Sequence, residues 1–161
     1  MKHVISALVQ NQPGVLAHVA GMFAARGFNI DSLVVWRTEN AELSRMTIVV
    51  VGDDRVLEQV RKQLGKVVPV VKIRDFADTS CVERDLMLVR VHVAPAKRGE
   101  VVQLVDLFRG RVVDVAPNSI IAEMSGPEDK LEGFIDLVRP YGIQELARTG
   151  VIAMQRGKQQ Q

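Results

Sequence analysis

The chain has 161 residues, 47% of them apolar and 25% charged, with a formal net charge of +2. Those proportions suit one ordinary folded domain or two small ones and exclude a disordered chain, apart from the polar tail at 156–161. No basic stripe marks a nucleic-acid surface, the single cysteine, Cys81, rules out an intrachain disulfide, and no apolar run approaches a membrane span. Met1-Lys2-His3-Val4 leads straight into a strand pattern without the apolar stretch of a signal peptide, so a cytoplasmic protein is expected.

Residues 4–10 read as a strand. Asn11-Gln12-Pro13-Gly14 follows as a turn and helix start, with Pro13 suited to the first helical position. Val15, Leu16, Val19, Met22 and Phe23 then recur at helical spacing, and Gly27 is the expected C-terminal cap. Residues 28–38 and 43–51 form a hairpin around the polar turn at 39–42. Gly52-Asp53-Asp54 caps a second helix that buries Val56, Leu57, Val60 and Leu64. Residues 67–76 close the unit as a strand, with Pro69 pointing to an edge or a bulge.

A polar linker is expected at 78–84, after which the order repeats. Residues 85–94 are a strand, and Val101, Leu104, Val105 and Phe108 mark a helix over 100–108. Residues 111–116 and 119–124 make a hairpin around Pro117-Asn118. Pro127 opens a helix carrying Leu131, Phe134, Ile135 and Val138, and the last strand runs over 143–154, broken near Gly150. Two β-α-β-β-α-β units in tandem are two ferredoxin-like α+β sandwiches, with domains at 1–77 and 85–161. In the strand at 43–51, Met46, Ile48 and Val50 face one way and Thr47, Val49 and Val51 the other, so both faces are apolar. The second face is expected to pack on the other half of the chain or on another copy, and dimerisation follows from the small core of each half.

The fold is not a function, and the chemistry it hosts elsewhere needs residues that are missing. The strand at 43–51 carries no aromatic ring on which a nucleic-acid base would stack. Cys81 is alone, and His3, His18 and His92 are scattered, with His18 on a polar helix face, so no metal site is expected. No phosphate-cradling glycine loop and no nucleophile elbow occurs, and Asp53-Asp54 is explained by a helix start. No catalytic residue is assigned. One feature suggests binding: at Asn11-Gln12-Pro13-Gly14-Val15, helix N-terminal amides can meet a carboxylate, and Gly14 permits close approach. An ordinary cap and turn would use the same residues.

Asn11-Gln12-Pro13-Gly14-Val15-Leu16, followed by Arg26-Gly27-Phe28-Asn29-Ile30, resembles the opening of an ACT domain. Leu43-Ser44-Arg45-Met46-Thr47-Ile48, Val82-Glu83-Arg84-Asp85-Leu86-Met87-Leu88, Phe108-Arg109-Gly110-Arg111-Val112-Val113-Asp114-Val115 and Arg148-Thr149-Gly150-Val151 resemble the acetolactate synthase small subunit, in order along both halves. The resemblance implies a non-catalytic regulatory subunit. It would activate a catalytic large subunit that carries thiamine diphosphate, Mg and FAD, binding no cofactor itself. It would also confer feedback inhibition by valine on branched-chain amino-acid synthesis. In such a family, valine sits between two ACT domains of a homodimer. One chain contributes the residues matching Asn11, Gln12, Pro13, Gly14, Val15 and Leu16, and the other those matching Asn29 and Ile30. A stand-alone ACT-type amino-acid sensor acting on another enzyme is the alternative that shares the loop.

Overall fold

The computed structural model describes residues 1–157. The polar tail expected at 156–161 lies outside the described residues from 158 on. The chain groups into two compact units. Unit 1 is Met1–Val82 with the segment from Val151 onward, and unit 2 is Glu83–Gly150.

Unit 1 contains β1 (Lys2–Gln10), α1 (Val15–Ala25), β2 (Ile30–Arg37), β3 (Leu43–Val51), α2 (Asp54–Leu64) and β4 (Val70–Asp75). The sheet is antiparallel in the order β2-β3-β1-β4, so β2 and β4 are its edges. Alternation sets the core. Ile5, Ala7 and Val9 of β1 and Met46, Ile48 and Val50 of β3 are buried against Val19, Phe23, Val60 and Leu64 from the two helices. Each large side chain in that layer contributes about 1.5–3 kcal/mol relative to exposure.

The start of α2 is capped as expected: Asp53 Oδ1 accepts from Val56 N–H at 2.9 Å. The end of α1 is a Schellman turn. Gly27, at φ 68°, donates to Ala24 O, and Phe28 N–H donates back to Phe23 O at 3.0 Å. The Phe23 and Phe28 rings meet edge-on at 6.3 Å, which seals that turn.

On the second face of the sheet Thr47 and Val49 are buried as well, while Val51 and Trp36 are exposed. Val151 N–H donates to Ser32 Oγ at 3.2 Å, and Ser32 stands opposite Val49 in the ladder, so the segment after Gly150 reaches this face of unit 1.

The rest of the chain begins with β5 (Cys81–His92), followed by α3 (Arg98–Leu107), β6 (Arg111–Ala116), β7 (Ser119–Gly126), α4 (Glu128–Val138), β8 (Ile143–Arg148) and β9 (Ile152–Gln155). The sheet order is β6-β7-β5-β8, with β9 also paired to β5. Met87, Val89, Val91, Ile120, Ala122 and Met124 meet Val101, Val105, Leu131 and Phe134 in a second core. Phe108 packs edge-on against Phe134 at 5.5 Å.

Local expectations differ from the structure in several places. Pro13 is not the first helical residue: α1 starts at Val15, and Gly14 in the left-handed region is its cap. Pro69 precedes β4 instead of lying inside it, and its carbonyl accepts from Gln10 N–H at 2.9 Å. The linker expected over 78–84 already contains the first residues of β5, because Cys81 begins that strand. The last strand is two strands. Gly150, at φ 93°, separates them, and the segment from Val151 groups with unit 1 instead of with a domain spanning 85–161. His18 is exposed, but the outward side of α1 is mostly Leu16, Ala17, Gly21, Ala24 and Ala25 and so is apolar, not polar.

Candidate functional site

Asn11 leaves β1 and is fastened twice. Its backbone N–H donates to Glu42 O at 2.8 Å, and its side-chain Nδ2 donates to Ala41 O at 2.9 Å. The Asn11 amide therefore holds the loop to the β2–β3 turn, and its Oδ1 is the part left to face a ligand. Gln12 and Pro13 are exposed. Gly14 sits at φ 84°, and a Cβ added there would meet nothing within 4 Å, so backbone conformation and not space requires glycine. Its carbonyl accepts from His18 N–H at 3.0 Å, which opens α1.

No side chain caps α1, and its first turn holds no acid. The amides of its first turn have no intrahelical acceptor by construction, and they point out of the helix with the positive end of its dipole. Val15, 5% exposed, anchors the turn in the core, and Leu16, 46% exposed, stands beside the amides as an apolar surface. The loop thus combines donors, partial positive charge and a small apolar flank. That set suits the carboxylate and side chain of a small amino acid.

Asn29 and Ile30 lie elsewhere. Asn29 is exposed just before β2, and Ile30 pairs with Val50 and is partly buried on its own core. Val50 is also the partner of His3, near the start of β1, whereas the loop follows Gln10 at the other end. The seven steps from His3 to Gln10 at roughly 3.3 Å each separate the two groups by about 23 Å. One chain brings Asn11, Gln12, Pro13, Gly14, Val15 and Leu16 together, and leaves Asn29 and Ile30 at the opposite end of the same sheet.

Sequence reasoning missed two features. The carbonyls of Ala41 and Glu42 that position Asn11 carry no side-chain signal at all. In unit 2, Asp85 is 3% exposed and gathers Arg148, Thr149 and the Gly150 N–H, while Arg148 also reaches Glu132 on α4. The run Arg148-Thr149-Gly150 is visible in the sequence, but its partner lies far away in the chain. Among the described residues no three His, Cys, Asp or Glu side chains gather as a metal would require.

The geometry can be set beside known proteins. The family described as the AHAS small subunit-like ACT domain matches residues 5–72, and that described as the small subunit of acetolactate synthase matches residues 84–157. The chain belongs to the acetolactate synthase small-subunit family. It is 59% identical to the probable acetolactate synthase small subunit of Archaeoglobus fulgidus over 98% of each chain. It is 46% identical to the acetolactate synthase small subunit of Aquifex aeolicus, covering 96% of this chain and 81% of that one. The crystal structure of the Thermotoga maritima acetolactate synthase small subunit superposes with a TM-score of 0.88 at 42% identity, over 98% of this chain and 99% of that one. Two tandem ferredoxin-like units are thus the architecture of the family. As a small subunit carrying an ACT domain, the chain is a regulatory subunit whose partner is a catalytic large subunit. Among the described residues no helix is long and apolar enough to cross a membrane.

Proposed function

We propose that this small subunit activates its catalytic large subunit and makes it sensitive to valine, which binds between two copies of the chain. Thiamine diphosphate, Mg and FAD belong to the catalytic subunit, and the assembly works in the cytoplasm. The observation that carries the reading is the split of the candidate residues between opposite ends of one sheet. A site using both ends needs a second copy.

The topology supports such a pairing. Among the described residues β2 is an edge strand, with one side of its backbone not laddered to another strand. Antiparallel pairing of β2 with β2 of a second copy, about a two-fold axis, sets the start of one β2 beside the end of the other. Arg37, at that end, lies beside Ser44, and Leu43 lies beside Gln10, so the second copy's loop follows on the same end. Asn29 of one chain then faces the loop at 11–16 of the other. The valine carboxylate meets the α1 amides from Gly14 on, and its ammonium is received by Asn29 Oδ1. Its isopropyl group rests against Leu16 and the exposed part of Ile30. Discrimination against leucine or isoleucine turns on a single methylene or its placement, about 1–3 kcal/mol.

Acetolactate formation by the cognate catalytic subunit, with and without this chain and with and without valine, tests the reading. A higher rate that valine suppresses only when the chain is present is the expected result. An unchanged rate and unchanged valine response would refute it.

A further inference from the structure

The two helices of unit 1 differ in a way that their shared core does not require. α2 buries Leu57, Val60 and Leu64 and turns Asp54, Arg55, Glu58, Arg61 and Lys62 outward, as a solvent-facing helix does. α1 buries Val15, Val19, Met22 and Phe23, yet beyond the Leu16 assigned to the valine site, Ala17, Gly21, Ala24 and Ala25 on its other side are exposed. Only His18 is polar among its eleven residues. A helix that is apolar all round is one covered on both sides.

Beside this bare face runs a groove of about 400 Å³. Met22 and Val67 form its apolar floor, and His18, Arg26 and Lys66 its rim. Among the described residues no carboxylate lines it.

We propose that this face of α1 is where the catalytic large subunit docks, through a segment that sets an apolar side chain into the groove and carries aspartate or glutamate beside it. The rim decides the occupant. A contact between two copies about a two-fold would bring Arg26 and Lys66 of each against the same cations of the other, which is unfavourable. A partner with acids at the rim is attracted instead, and attraction of this kind also speeds encounter. The inference builds on the proposed function in one respect. The first turn of the docking helix is the turn proposed to receive valine, so an effector at Gly14 acts at one end of the surface that holds the catalytic subunit.

The test uses Gly21→Glu and, separately, the double variant Arg26→Glu with Lys66→Glu. A Cβ at Gly21 meets nothing within 4 Å, and glutamate is a better helix former than glycine, so the first variant folds at least as well as the parent. Each full-length chain is titrated against the catalytic subunit with two readouts, direct binding and rate. Valine binding and molar mass of the chain alone are measured in parallel. The expected result is binding at least about tenfold weaker for both variants, with mass and valine binding unchanged. Binding equal to that of the parent chain overturns the proposal. So does a change in the chain's own mass with unchanged affinity for the catalytic subunit, which would give the face to a second copy. A parent chain that binds the catalytic subunit without raising its rate refutes the activating role and leaves docking to be judged on the binding readout. A parent chain that does not bind at all overturns both.

Discussion

Asp85 and Arg148 form an ion pair inside unit 2, with Arg148 Nε donating to Asp85 Oδ2 at 2.8 Å. The Asp85 side chain is 2% exposed and the Arg148 side chain 21%. The other oxygen, Oδ1, accepts from Gly150 N–H at 3.2 Å, and Thr149 Oγ1 lies at the same distance. Leu86 and Thr149 close the ladder beside it, Thr149 N–H donating to Leu86 O and Leu86 N–H to Thr149 Oγ1. One buried carboxylate therefore ties the first strand of unit 2 to its last turn.

Removing that carboxylate leaves the largely buried Arg148 side chain with only Glu132, and the Gly150 amide with no acceptor. Asp85→Ala is expected to destabilise the protein by about 3 kcal/mol, toward the lower end for a broken buried pair because Arg148 keeps one partner. Urea unfolding of the parent and variant measures it. A loss below about 1 kcal/mol would show that the pair is compensated by water.

Gly14 presents a different balance. Its φ of 84° is unfavourable for any residue with a Cβ, yet the space around it is empty. Gly14→Ala should cost about 1–2 kcal/mol through the backbone alone. Gly14→Asp should cost less, because aspartate tolerates the left-handed region and its carboxylate can accept from the uncapped amides of α1. The same contact fills the place proposed for the valine carboxylate. Thermal unfolding and calorimetric valine titration, run together, check both halves: a folded Gly14→Asp chain without valine binding is expected.

In unit 2, Tyr141 Oη donates to Glu100 Oε2 at 2.8 Å, and Lys97 Nζ lies 3.1 Å from the other oxygen. The Tyr141 hydrogen bond, followed by that of Lys97, holds the Glu100 carboxyl below the usual carboxylate value. A carboxyl depressed in the folded state adds stability above its unfolded pKa, and that stability is lost as pH falls through the folded value. The Glu100 side chain is exposed to solvent, so the effect on folding is small. Tyr141→Phe should move the Glu100 titration upward, as followed by NMR of its side-chain carboxyl carbon. No movement would mean that the tyrosine points to water.

Much of the fold was legible because it is encoded over short spans. The spacing of Val15, Val19, Met22 and Phe23 defines α1, and the alternation of Met46, Ile48 and Val50 with Thr47 and Val49 defines β3 as a strand buried on both faces. What was not legible depends on distant partners. Val151 departs from the second half because its amide finds Ser32, and no local pattern announces that bond. Asp85 reads as an ordinary strand acid until Arg148 is beside it. The loop residues of the candidate site follow from turn chemistry at Asn11 and Gly14. Their distance from Asn29 follows only from the β1–β3–β2 register.

That register gives the sharpest test of a two-chain site. A chain with Gly14→Asp has a blocked loop and an intact Asn29, and a chain with Asn29→Ala has the reverse. Every site in either homodimer is then defective. In a mixed dimer, one site combines the sound loop of the second chain with the sound Asn29 of the first, and the other site carries both defects. Random mixing of equal amounts places about half the chains in mixed dimers, so about one site in four is restored. Unfolding and refolding the two variants together, followed by valine titration, should recover about a quarter of the parent's binding capacity at the parent's affinity. Each variant refolded alone should recover none. A site confined to one chain cannot be repaired by mixing, so zero recovery from a well-folded mixture would place the Asn29 contribution in the same chain as the loop or remove it from the site.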